Sequence, residues 1–165
     1  MTRTPLLLRL IAPALMSLAF TSGAFAQQIA FGGIRGDSKA PVEITSDTLT
    51  VDQGTGIATF AGNVVIGQGA MRLSAATVLV EYGATTSDIS KLRASGGVTL
   101  VSASEAAEAR EAVYTPGDAT VVLTGGVLLT QGKNVMAGES LTVNLTTGTG
   151  TMAGRVRTVL QPGAN

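Results

Sequence analysis

Glu105, Glu108 and Glu111 form a closely spaced group of carboxylates, and paired carboxylates can serve general acid and base chemistry or hold a hard cation. The chain has no His and no Cys, so nothing is present to activate a serine by the usual imidazole route or to complete an ordinary zinc site. The three lysines, Lys39, Lys91 and Lys133, are not in a Ser-x-x-Lys arrangement. Gly148, Gly150 and Gly154 resemble a dinucleotide loop only faintly, because the third glycine is displaced by one position and no helix follows. Asn144-Leu-Thr146 matches the glycosylation triplet but falls at a strand end, where it reads as a turn. The three glutamates therefore read as a solvated face. No enzyme, no cofactor and no metal site is expected.

The glycines belong to a different pattern. Gly62-Asn-Val64, Gly96-Gly-Val98, Gly125-Gly-Val127 and Gly154-Arg-Val156 recur with steps of 34, 29 and 29 residues. A second string recurs in step with them: Val78-Leu-Val80, Ala112-Val-Tyr114 and Leu141-Thr-Val143 each begin 16 residues after a glycine, and Leu49-Thr-Val51 begins the first unit. From each string to its own glycine the distance is 13, 18, 13 and 13, so a five-residue insertion lies within residues 82–90, in a surface loop. The chain is thus about four repeats of roughly 29 residues. The repeat glycines read as bulge or bend positions.

Inside a unit the apolar residues alternate: Val42 and Ile44, Leu49 and Val51, Ala58 and Phe60, Val64 and Ile66. Period two with many β-branched residues means half-buried strands. Residues 103–112 are rich in Ala, Glu and Arg, but the repeat register makes them a strand too. Superposed units give apolar columns: Leu49, Val78, Ala112, Leu141; Val51, Val80, Tyr114, Val143; Phe60, Ala94, Leu123, Met152; Val64, Val98, Val127, Val156; and Ile66, Leu100, Leu129, Thr158. Their neighbours Thr50, Asn63, Thr99, Thr142, Arg155 and Arg157 are polar and belong in water. The expected product is an all-β, antiparallel stack with a continuous apolar interior and unpaired edges only at its ends, near residues 41–49 and 151–160.

Residues 1–26 read as a signal peptide. Arg3 and Arg9 precede an apolar stretch of about 11 residues, too short for the roughly 20 needed to span a bilayer, and Ala24-Phe-Ala26 fits the small-x-small cleavage rule. Residues 27–40 are a lead-in, 41–162 the β domain and 163–165 a tail. Removing Arg3 and Arg9 from 11 basic residues leaves 9 against 11 acidic ones, a net charge of −2, which argues against nucleic acid as a partner.

Ser46-Asp47, Ala58-Thr-Phe60-Ala-Gly62-Asn-Val64, Gln68-Gly69, Ala75-Ala76, Val121-Val-Leu-Thr-Gly125, Gln131, Ala137-Gly-Glu139 and Arg155-Val-Arg-Thr-Val-Leu160-Gln-Pro162 resemble, in order and spacing, the LptA/OstA-like family of periplasmic lipopolysaccharide transport proteins. The resemblance covers residues 41–162. It departs in the compact insertion near residues 83–90 and in the short tail.

That resemblance implies a slightly twisted antiparallel β-jellyroll, V-shaped in section, whose apolar trough shields the lipid A portion of lipopolysaccharide. The trough residues are then Val42, Ile44, Leu49, Val51, Phe60, Val64, Ile66, Val78, Val80, Val98, Leu100, Tyr114, Leu123, Val127, Leu129, Leu141 and Val143. The resemblance also implies head-to-tail homo-oligomers, with Val156 and Val159 at the assembly edge, and partners of the same fold: an inner-membrane LptC-like and an outer-membrane LptD-like protein. Two alternatives stand beside it, an inner-membrane-anchored LptC-like component of the same pathway and a structural β-solenoid filament unit.

Overall fold

The computed structural model of the chain describes residues 27–30, 34, 37, 39–83, 88–103 and 105–161. The expected signal peptide and the tail lie outside the described residues. Eleven strands form one antiparallel sheet: β1 (Gln27–Ala30), β2 (Glu43–Thr45), β3 (Thr48–Asp52), β4 (Ile57–Gln68), β5 (Met71–Tyr82), β6 (Ile89–Ser102), β7 (Glu105–Thr115), β8 (Thr120–Gln131), β9 (Asn134–Asn144), β10 (Thr149–Ala153) and β11 (Arg157–Val159). From β4 to β10 each strand pairs with the next, as short hairpin turns dictate. Gly69 and Gly132 take φ of 56° and 58° at the first position of two-residue hairpin loops, where a side chain would be strained. Residues 103–112, with their helical composition, lie mainly in β7. Tertiary pairing on both sides overrides the local preference. A single turn of 3-10 helix, Pro116–Asp118, joins β7 to β8.

The repeat arithmetic becomes register. Cross-strand partners share a face, so the pairings trace one row through Leu49, Phe60, Val78, Ala94, Ala112, Leu123, Leu141 and Met152. Two columns read separately in the sequence merge in that row. A parallel row runs Val51, Ala58, Val80, Leu92, Tyr114, Val121, Val143 and Gly150. A third runs Ile44, Ile66, Leu73, Leu100, Ala107, Leu129, Met136 and Thr158.

Between the first and third rows every long strand is broken. The ladder slips between Ala61 and Val64, Ser74 and Thr77, Ser95 and Val98, Glu108 and Glu111, and Thr124 and Val127. The repeat glycines sit in these bulges or, for Gly154, in the bend after β10, with φ from 78° to 90°. Gly96 shows why no other residue serves: a Cβ there would come 2.6 Å from the Cβ of Ala76 on the neighbouring strand. Bulges bend strands, and five aligned bulges fold the whole sheet into two half-sheets around one core. The half-sheet nearer the 3-10 turn carries the first two rows, and the other carries the third.

The inserted loop joins β5 to β6, closed at its base by the Gly83 N–H donating to the Asp88 carbonyl at 2.7 Å. Residues 84–87 of the loop lie outside the described residues.

Candidate functional site: an apolar interior with two different ends

Twelve of the seventeen expected trough residues are buried at 2% exposure or less: Val64, Ile66, Val78, Val80, Val98, Leu100, Tyr114, Leu123, Val127, Leu129, Leu141 and Val143. Val42, Ile44 and Phe60 are partly buried against them. In this state the half-sheets pack directly on each other. Leu49 and Val51 stand apart. Their register puts them on the interior face opposite Phe60 and Ala58, yet they are 54% and 60% exposed, because β3 is the last strand and, among the described residues, none covers its inner face. A groove lined by Val51, Asp52, Thr55 and Tyr82 borders that mouth. The turn there is held by Asp52, whose carboxylate accepts from the Gly54 and Thr55 N–H groups at 2.8 and 3.3 Å, lowering its pKa below the ordinary 3.8.

At the tips of the other half-sheet the interior row turns polar. It runs Gln68, Met71, Ser102, Glu105, Gln131 and Asn134. Glu105 corrects the sequence reading. It is 2% exposed rather than part of a solvated face, while Glu108 and Glu111 are exposed. It accepts from the Ile34 backbone N–H at 3.1 Å and from Gln131 Nε2 at 2.6 Å. The signal was present: Glu105 lies one 34-residue step after Met71, itself 1% exposed.

Gln68 joins the halves. Its Oε1 accepts from the Tyr114 hydroxyl at 2.5 Å, and its Nε2 donates to the Ala40 carbonyl at 3.0 Å. Burial pushes the Tyr114 phenol above its ordinary 10.0, against the opposing effect of that hydrogen bond.

The lead-in contributes more structure than its sequence announces. β1 pairs with β10 in the register Gln27 to Met152 and Ala30 to Thr149, then Ile34 is fully buried against Glu105, and β2 pairs with β4 at the opposite end of the sheet. The described parts of residues 27–45 therefore form a strap that touches both edges of the sheet.

The expected C-terminal edge differs accordingly. Residues Thr149–Ala153 are not a free edge but lie between β9 and β1. β11 closes the other half-sheet, with Thr158 in the interior row and Val159 on the outer face beside Val135. Val156 precedes β11 without strand pairing, and Val156 and Val159 are 36% and 48% exposed. Among the described residues, no three His, Cys, Asp or Glu side chains converge to hold a metal.

The fold and this interior define a β-jellyroll of the kind that encloses an apolar seam between two halves of one bent sheet. The chain belongs to the LptA/(LptD N-terminal domain) LPS transport protein family, whose sequence profile matches residues 43–149. An uncharacterized protein of Rhizobium meliloti (strain 1021) is 33% identical over 141 residues, covering 79% of this chain and 76% of that protein. The lipopolysaccharide export system protein LptA of Escherichia coli (strain K12) is 32% identical over 65 residues, 39% of this chain and 35% of that protein. The crystal structure of LptH from Pseudomonas aeruginosa, the LptA homologous periplasmic component of the conserved lipopolysaccharide transport device, superposes with a TM-score of 0.69 at 19% identity. That superposition covers 77% of this chain and 99% of LptH, and it establishes the shared fold.

Proposed function

We propose that the chain is a periplasmic carrier that shields the acyl chains of lipopolysaccharide and forms one link of a bridge passing them from the inner to the outer membrane. One observation supports this above others: the interior rows run on to Leu49 and Val51, which remain more than half exposed at the mouth. A core that served stability alone would end its rows under cover. At roughly 25 cal/mol per Å² of apolar surface removed from water, an acyl chain or a neighbouring strand seated there is strongly favoured.

Acyl chains would enter between the half-sheets and replace the contacts these make with each other, touching Val42 and Ile44 near the mouth and Leu100 and Tyr114 midway. Export rests on the expected cleavage after Ala26 and on the family. The partners are proteins of the same fold, an LptC-like one at the inner membrane and an LptD-like one at the outer. The chain also stacks head to tail on its own copies, with Val156 and Val159 near the contact. Movement along such a bridge needs an energy source, which this proposal assigns to another component.

The test is co-elution of the chain spanning residues 27–165 with lipopolysaccharide, in competition with the same lipid after removal of its acyl chains. Intact lipid should co-elute and only acylated competitors should displace it. Failure to bind, or equal competition by the deacylated carbohydrate, would overturn the proposal.

A further inference from the structure

We infer that β1 is a built-in competitor strand: it occupies, in the same chain, the sheet edge on β10 to which the β3 strand of a second copy adds. The inference deepens the assembly part of the function proposed above. Strand direction carries the first step. From β3 to β10 each strand is antiparallel to the next, so β3 and β10 run in opposite directions. A copy placed on the end of the stack by simple repetition would therefore set its β3 antiparallel against β10, the same orientation that β1 adopts there.

Row chemistry carries the second step. The interior row that begins at Leu49 ends at Met152, and the row that begins at Val51 ends at Gly150. A second copy's β3 would continue both rows with apolar residues that its own fold leaves exposed. The backbone of β1 holds the same register positions, Gln27 opposite Met152 and Ile29 opposite Gly150.

What keeps it in place is tethering. Ile34, four residues after the end of β1, is buried with its N–H on Glu105, and a strand on so short a tether competes at an effective concentration of order mM. The β11 edge of the other half-sheet carries no such cap among the described residues. A second copy could engage there first and then displace β1.

The test exploits the absence of native cysteine. Gln28 and Thr151 are directly opposed in the ladder, a separation that a disulfide can bridge. In the Gln28→Cys, Thr151→Cys chain, oxidation pins β1 and reduction frees it. Ile29→Pro weakens β1 by removing a backbone donor. Sedimentation equilibrium, with melting curves to confirm folding, should show association weakened about tenfold or more by oxidation and strengthened by Ile29→Pro, as expected when a tethered competitor is fixed or loosened. Equal association of oxidised and reduced protein would overturn the competition alone. No association in any form, Ile29→Pro included, would overturn both the competition and head-to-tail assembly.

Discussion

Tyr114 and Gln68, 46 residues apart in sequence, meet across the interior: the tyrosine hydroxyl of one half-sheet donates to the glutamine Oε1 of the other at 2.5 Å. The bond clasps the two halves at the side opposite their shared bend. Tyr114→Phe removes the donor, leaves a buried amide oxygen with one partner fewer, and should cost about 1–2 kcal/mol by thermal melting. If the halves must part to admit acyl chains, the same variant should bind lipopolysaccharide faster in stopped-flow measurements.

The clasp also gives a pH dependence. Because the Tyr114 pKa is raised on folding, the folded chain holds this proton more tightly than the unfolded one. The contribution is fully present below the unfolded value of 10.0 and is lost as pH rises through the higher folded value. Melting temperature should fall above about pH 10, and Tyr114→Phe should flatten that fall.

Strand parity is tested on adjacent positions of β6. Leu100 is fully buried, so Leu100→Asp should lose several kcal/mol, about 3 or more, or fail to fold. Val101 is 40% exposed on the outer face and lies opposite Arg72, so Val101→Asp should stay within about 0.5 kcal/mol of the parent. Thr99 also faces outward, but opposite Glu108, where a new carboxylate would meet a like charge.

The repeat glycines separate contact from conformation. Gly96→Ala combines a φ of 86° with a Cβ 2.6 Å from that of Ala76, whereas Gly97→Ala has a φ of 87° and open space. Denaturant titration should show roughly 1 kcal/mol lost at Gly97 and clearly more at Gly96.

Glu105 anchors the strap. Glu105→Ala leaves the Ile34 N–H and Gln131 Nε2 without this acceptor, and should cost about 1–3 kcal/mol. Amide exchange at Ile34 should accelerate in the variant while exchange at Leu100 holds.

The interior rows are legible in the sequence because antiparallel pairing turns a constant sequence step into a straight line across the sheet. Val78, Ala112 and Leu141 fall in one row for that reason. The bend is legible too, since only glycine tolerates the backbone at Gly62, Gly96 and Gly125. Glu105 is hard to see because composition outweighs register: three glutamates within seven residues look like surface, although the repeat step places the first of them on a buried position. β1 has no repeat counterpart. Residues 27–30 owe their pairing to an edge formed more than a hundred residues later, and no local pattern encodes that. Exposure of Leu49 and Val51 is likewise a property of where the stack ends, which parity alone does not report.

The central claim is that acyl chains occupy the interior. The most direct measurement places a photo-crosslinking residue at Phe60, Leu100 or Val101 in turn, in purified chain loaded with lipopolysaccharide, and scores covalent attachment after illumination. Phe60 and Leu100 lie on interior rows and should attach lipid, while Val101, next to Leu100 but facing outward, should not. Attachment at Val101 equal to that at Leu100, or none at either interior position in folded protein, would contradict it.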